Sequence, residues 1–352
     1  MALYIHGMGN ISPQKTWGES ALFSPPRDHQ GSRLSCIEPD YDLYIDPRQL
    51  RRMSRVIKMG VAAGAMALKE AGLNVPSGII TGTGYGCLKD TGIFLGKMID
   101  NKEKALNPTP FIQSTHNTIG SQIALLLQCQ GYNQTYTQGA ISFESSLLDA
   151  LLELNDNPHQ SILVGGVDEI TTTLHTILHR FNIFRKSSAS SIALFNTSAA
   201  GTLHGEGATY FVLSGEKRKN DRVVLDSVKT FFKPNPKQVT EGIRQFLESV
   251  SLKNSEIDLV LLGKCGDQKL DNVSEKVLTT LFPENSIGLF KHLSGEYPTA
   301  SAFAVWLGAR IIQTQQIPDV VLPGNAGRSI ANVLIYNSYF GRHHSLILLR
   351  AC

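Results

Sequence analysis

Apolar positions recur along this chain with two periods, and stretches of the two kinds alternate through most of it. Residues 131–140 alternate like a strand around Tyr136, break at Gly139-Ala140, and give way to helical spacing at Phe143, Leu147, Leu148, Ala150, Leu151 and Leu154. A loop over 155–160 then leads into a buried strand over 161–166, followed by Asp168-Glu169. Nearer the start, residues 3–13 read as a strand and turn. A helix opens at Asp46-Pro47, carries Met53, Ile57, Val61, Ala65 and Leu68, and stops at Gly72. Residues 77–86 form the next strand and a glycine-rich turn, and 257–262 a second buried strand. Short strands alternating with amphipathic helices predict α/β layers.

Composition narrows the function classes. The 352 residues are 42% hydrophobic and 18% charged, enough for two domain-sized cores or one fused pair. A formal charge of +3 gives no ground for nucleic-acid binding. Arg48, Arg51, Arg52, Arg55 and Lys58 fall on the helix opened by Pro47, either as a solvated face or as a docking patch for an acidic partner. No apolar run reaches the roughly 18 residues of a membrane span, and the N-terminus enters a strand with no signal-peptide arrangement. The five cysteines are irregularly spaced with no CxxC, so neither a disulfide framework nor a zinc site is indicated. A soluble, cytoplasmic protein without metal or cofactor is expected. His343-His344 does not read as a metal pair, because adjacent strand residues face opposite sides. Gly82-Thr-Gly-Tyr-Gly86 lacks the spacing and the GKS/T of a nucleotide loop.

The unit of strand, tight turn, helix and strand over 131–169 resembles the nucleophile region of the β-ketoacyl-acyl-carrier-protein synthases, condensing enzymes of the thiolase superfamily. Further matches are the Gly-Met-Gly-Asn-Ile-Ser-Pro run at 7–13, the glycine turn at 82–86, Pro108-Thr-Pro-Phe111 with Asn117, and Gly205-Glu-Gly-Ala208 before an apolar strand. The resemblance covers essentially the whole chain. It implies a thiolase-like α/β fold with two similar halves, 1–213 and 214–352, fused in a five-layered α-β-α-β-α arrangement. Glu206 is expected to be structural, and Asn117 to cap a helix.

In that family a cysteine at the turn carries the acyl chain, and the helix N-terminus favours its thiolate. Here the position is Ala140. Two histidines polarise the malonyl thioester and stabilise the enolate. The first, in Asn-Ala-His-Gly-Thr after a buried strand, falls on Cys265. The second, in Lys-x-x-x-Gly-His, falls on Glu296, while Lys291 and Gly295 keep the family residues. His292, four positions earlier, cannot reach the same spot without a rebuilt loop. The family's closing glycine-rich loop, whose phenylalanine gates the acyl pocket, reads Asn337-Ser-Tyr-Phe-Gly-Arg-His-His-Ser345.

The resemblance therefore implies a synthase-like chain without condensing chemistry: a chain-length-factor-type subunit paired with an active ketosynthase and served by an acyl carrier protein. Such a pair would meet through the strand at about 133–138. Phe111, Gln138, Ala140, Phe143 and Tyr339 are the residues expected to face the shared cavity. Two alternatives stand beside this reading. One is an acyltransferase, hydrolase or malonyl decarboxylase with chemistry relocated to Cys265 and Glu296, or to Ser142 or Glu144. The other is a homodimeric acyl-binding protein.

Overall fold

The computed structural model describes residues 2–18, 22–23, 25–186, 190–196, 199–283, 286–325 and 327–352. Its strands are β1 (Leu3–Ile11), β2 (Arg33–Leu34), β3 (Gly78–Gly82), β4 (Tyr132–Tyr136), β5 (Ser161–Asp168), β6 (His204–Gly205), β7 (Gly207–Ser214), β8 (Val223–Phe232), β9 (Leu259–Gly263), β10 (Ile287–Leu289), β11 (Asn332–Tyr339) and β12 (His343–Ala351). Ten of them form one hydrogen-bonded sheet in the order β10-β9-β11-β12-β8-β1-β7-β5-β3-β4, and β2 pairs with β6 separately.

The sheet repeats one pattern about its middle. On one side β3 runs parallel to β4 and β5, β5 is antiparallel to β7, and β7 to β1. On the other, β9 runs parallel to β10 and β11, β11 is antiparallel to β12, and β12 to β8. The sides meet where Leu3 and Tyr4 pair antiparallel with Leu225 and Val224.

Strand alternation builds the layers. Ile80, Ile162 and Val164 join Leu259, Leu261, Val333 and Ile335 in one core around the helices Ser142–Asp156 and Ala300–Thr314. Their neighbours Ile79 and Leu163 face the opposite way, against Arg55–Ala71 and Thr118–Leu127. Val260, Leu262 and Leu334 pack on Pro236–Ser249 and Gln268–Leu281. The result is the thiolase-like α-β-α-β-α stack. Ala300–Thr314 is apolar on nearly every side because it lies in the central layer. Gly9 is required where β1 crosses Arg55–Ala71, since a Cβ there would stand 2.0 Å from the Ala63 carbonyl oxygen.

One expected helix is two. Pro47–Leu50 ends after a single turn, and Ser54 in extended conformation restarts the chain as Arg55–Ala71. Met53 stays buried across the break, so the apolar period runs on undisturbed. The basic residues are split accordingly, and Arg55 is drawn inward to Glu38 and Glu206. Gly72 closes the helix in the left-handed region, at φ 62°. Asn117 occupies an N-cap position without a side-chain capping bond. Among the described residues, no helix is long and apolar enough to cross a membrane.

Candidate functional site

The chain leaves β4 and reverses at Gly139, whose φ of +59° suits glycine. A single 3-10 turn, Gly139–Ile141, then feeds the helix Ser142–Asp156. Ser142 Oγ fixes the turn by donating to the carbonyls of Thr83 (3.1 Å) and Gly139 (2.7 Å). Ala140 is buried at this point, and it presents a methyl group where the helix N-terminus would favour an anion.

The glycine-rich turn beside it is organised by Asp168, at the end of β5. One carboxylate oxygen accepts from Thr83 Oγ1 (3.0 Å), Gly84 N (2.9 Å) and Tyr85 N (2.7 Å), and the other from Thr299 N (3.2 Å) and Thr299 Oγ1 (2.9 Å). Burial pushes its pKa up to about 6, against the pull of those donors. Nothing in the local sequence marks this role beyond a carboxylate ending an apolar strand. Glu206, expected to be structural, forms a two-toothed ion pair with Arg55 at 2.6 and 2.7 Å and accepts from the amides of Cys36 and Ile170.

Cys265 follows β9. Its amide and that of Gly266 each donate to Asp271 at 2.8 Å, and its carbonyl accepts from Thr202 Oγ1 at 2.7 Å. Burial first, and the Asp271 carboxylate second, push the thiol well above its ordinary pKa. A thiol so held is neutral at physiological pH and is a poor nucleophile.

Lys291 and Glu296 lie on either side of Gly295 and both are fully buried. Lys291 Nζ donates to both Glu296 oxygens, at 2.9 and 2.8 Å, and to the Ser338 carbonyl at 2.7 Å. The Glu296 backbone is fixed in turn, its N–H donating to Leu203 O (2.8 Å) and its carbonyl accepting from Gly205 N (3.0 Å). Burial raises the Glu296 pKa to about 7, opposed by Lys291. Glu144 is also buried. Ser345 Oγ donates to one of its oxygens at 2.7 Å, and the other has no partner among the described residues.

After Ser338 the chain passes Tyr339 and turns through Phe340 and Gly341, both at positive φ. The Tyr339 hydroxyl meets that of Tyr85 at 3.2 Å, which ties this turn to the glycine-rich one. Tyr339, Phe340, Arg342, Ile183, Lys269 and Leu270 line a cavity of about 510 Å³. Of the other residues expected at a shared cavity, Phe143 is fully buried against Phe211, with ring centroids 5.9 Å apart. Gln138 binds Ser145 on the exposed side of the turn. Phe111 is 55% exposed and packs on Phe94 at 5.1 Å. His292 points away to the Val320 carbonyl, and His344 bonds the Tyr336 hydroxyl.

The model of the β-ketoacyl synthase N-terminal domain matches residues 5–219. The chain belongs to the β-ketoacyl synthase family. No curated protein matches its sequence. Solved structures of this family share its fold at low identity. The ishigamide ketosynthase/chain length factor superposes with a TM-score of 0.82 at 17% identity, over 100% of this chain and 99% of that one. A β-ketoacyl synthase from Burkholderia phymatum STM815 gives 0.76 at 15%, over 100% and 99%. The ketosynthase ApeO in complex with its chain length factor ApeC, from Xenorhabdus doucetiae, gives 0.72 at 16%, over 100% and 98%. The positions that the resemblance in sequence assigns to a cysteine and two histidines are Ala140, Cys265 and Glu296, with Lys291 matching the family's lysine.

Proposed function

We propose that this ketosynthase-family chain is a non-condensing subunit of chain-length-factor type. It pairs with an intact β-ketoacyl synthase and takes part in building carrier-bound chains of fatty-acid or polyketide type, with aryl-polyene and flexirubin pigments as the pathways of choice. The observation that carries this reading is the Lys291–Glu296 ion pair. On this reading Glu296 replaces the second imidazole and is committed to a structural hydrogen-bond network with Lys291 and Ser338, while Ala140 offers no atom to hold a thioester. The raised thiol pKa of Cys265 speaks against relocated nucleophilic chemistry there. Residues 1–213 and 214–352 serve as two like halves of one fused unit.

The partner's place is supported by the free edge of the sheet. β4 is its terminal strand, with Tyr132, Asn133 and Gln134 exposed. Phe111, Ile112, Leu148 and Leu152, on neighbouring helices, add exposed apolar side chains. A terminal strand whose outer edge has no partner strand among the described residues, with apolar flanks, is suited to pairing with another chain. Two of the similar structures, the ishigamide ketosynthase/chain length factor and ApeO with its chain length factor ApeC, join a ketosynthase with a chain length factor, which fits this assignment.

Incubating the protein with acyl- and malonyl-carrier protein and weighing both intact proteins tests the catalytic half of the proposal. Unchanged masses are expected. An acyl adduct on this chain, or loss of carbon dioxide from the malonyl carrier, overturns it.

A further inference from the structure

A second hollow lies on the far side of the sheet from the helix Ser142–Asp156. The helices Arg55–Ala71 and Thr118–Leu127 draw together at Gly60, where a Cβ would stand 2.6 Å from the Ile119 side chain. Val61 and Ala65, one turn apart on a neighbouring face, leave a cavity of about 330 Å³ against the segment 44–49. Ile123, Leu126 and Leu127 form its other wall, and Ile45 adds to the apolar lining. Ile45, Val61 and Ile123 belong to the core on this face, which the sheet divides from the core around Ser142–Asp156.

The break in the chain before Arg55 creates this hollow. In one unbroken helix Gln49 would stand about 18 Å along the axis from Val61, too far to line the same cavity. Because Pro47–Leu50 ends after one turn and Ser54 is extended, the chain folds back and brings Tyr44, Asp46 and Gln49 to the rim. Asp46 is the only charged residue among the described lining residues. Its Oδ1 accepts from Arg48 N at 2.8 Å, and no described group bonds its Oδ2. The Tyr44 hydroxyl and the Gln49 side-chain amide are likewise uncommitted among the described residues. Arg48, Arg51 and Arg52 follow on the same segment but do not line the cavity, and the exposed Asp40 and Asp42 precede it. An apolar pocket with three free polar groups at its rim is built like a small-molecule site, and it falls at the low end of the roughly 300–1,000 Å³ range of such sites.

We propose that this cavity binds a small cationic amphiphile, an alkyl or aryl amine. Its chain lies between Val61, Ala65 and Leu126, and its ammonium group meets Asp46 Oδ2, with Tyr44 and Gln49 beside it. Asp46 selects the head, because it attracts an ammonium and repels the carboxylate of a fatty acid of the same length. With no cation in the lining, a carboxylate head would have no mate. The walls share no residue with the Ala140, Cys265 and Glu296 positions or with the sheet edge at β4.

The test is calorimetric titration of the purified full chain at pH 7.5 with decylamine, decanol and decanoate, each kept below micelle formation. Saturable one-to-one binding of decylamine is expected, about tenfold tighter than decanoate, with decanol between them and the preference shrinking in salt. Asp46→Asn keeps an acceptor for Arg48 N and should bring decylamine down to the decanol affinity. Ala65→Phe fills the cavity and should abolish binding. Circular dichroism checks that the variants are folded, and a diazirine-bearing alkylamine gives a readout on the wild type that needs no variant. Its label is expected within 44–49, 61–65 or 123–127. Decanoate bound as tightly as decylamine, or an unchanged preference in Asp46→Asn, overturns the assigned head group. Undiminished binding by folded Ala65→Phe, label elsewhere, or no saturable binding by the wild type overturns the site.

Discussion

Lys291 Nζ lies 2.9 and 2.8 Å from the two carboxylate oxygens of Glu296, with both side chains fully buried. The third donation of Lys291, to Ser338 O, extends the pair to the strand that ends at Tyr339. What the resemblance marks as an acid–base position is here a staple between three segments.

That staple is sensitive to the loss of one partner. Leaving a buried charge without its mate costs about 3–5 kcal/mol, whereas replacing both by apolar residues is tolerated far better. Lys291→Met is therefore expected to lower stability by that amount. The double variant Lys291→Met/Glu296→Leu should recover much of it. Urea titrations of the two singles and the double give the coupling, and strictly additive losses would refute it.

Ala140→Cys by itself should not give condensation. The new thiol would stand at a helix N-terminus, but Cys265 is a neutral buried thiol held through its backbone by Asp271 and Thr202, and Glu296 is tied to Lys291. Neither can act as a neutral imidazole on the malonyl carbonyl. Alkylation of the variant should label the cysteine, while elongation of an acyl carrier stays at background. Turnover by this single variant would sink the argument.

Asp168 accepts five hydrogen bonds that join the glycine turn to Thr299. Asp168→Ala strands buried donors, each costing about 1–3 kcal/mol without simple additivity, so a total loss of at least about 3 kcal/mol is expected. Asp168→Asn keeps one acceptor oxygen and should lose less. Thermal and urea unfolding of the two variants rank them, and equal stabilities would contradict the assignment.

The pH dependence of stability has a histidine component. His175 and His204 are buried with Nδ1 atoms 3.0 Å apart, and Phe184 stacks on His204 at 4.2 Å. Burial lowers their pKa values to about 4 and about 3, with Arg33 and each ring's histidine neighbour adding to the shift. Below the unfolded value of about 6.5 the unfolded chain binds protons that the folded one refuses. Stability is thus full above about pH 6.5 and falls as pH drops, by up to about 1.4 kcal/mol per pH unit for each ring. Asp168 and Glu296, raised to about 6 and about 7, act with the opposite sign, losing stability as pH rises towards those values. Their share is common to wild type and His204→Phe and drops out of the comparison. Urea midpoints at pH 7.5, 6 and 5 should show a shallower acid decline in His204→Phe. Parallel declines would exclude the assignment.

Strand and helix periods in the sequence located the elements around residues 131–166 and 257–262 to within a few positions, because burial on one face leaves a local imprint. The same period ran through Met53 and hid the break before Arg55, since Met53 is buried whether or not the helix is continuous. Cys265 could be placed after its strand, but not its thiol state, which depends on Asp271 and on burial between segments far apart in the chain.

By itself the sequence determined the family, the layered α/β class and the absence of a nucleophile at residue 140, because a methyl group has no reactive atom in any fold. Tertiary structure alone decided what surrounds the charged and hydrogen-bonding residues of the site. Lys291 and Glu296 become a dry ion pair only when Leu203, Gly205 and Ser338 close around them, and Asp168 becomes a hub only when Thr83, Tyr85 and Thr299 converge on its carboxylate. Charge and hydrogen-bonding capacity are written residue by residue. Whether they are desolvated, paired or left facing a partner is set by which distant segments the fold brings together.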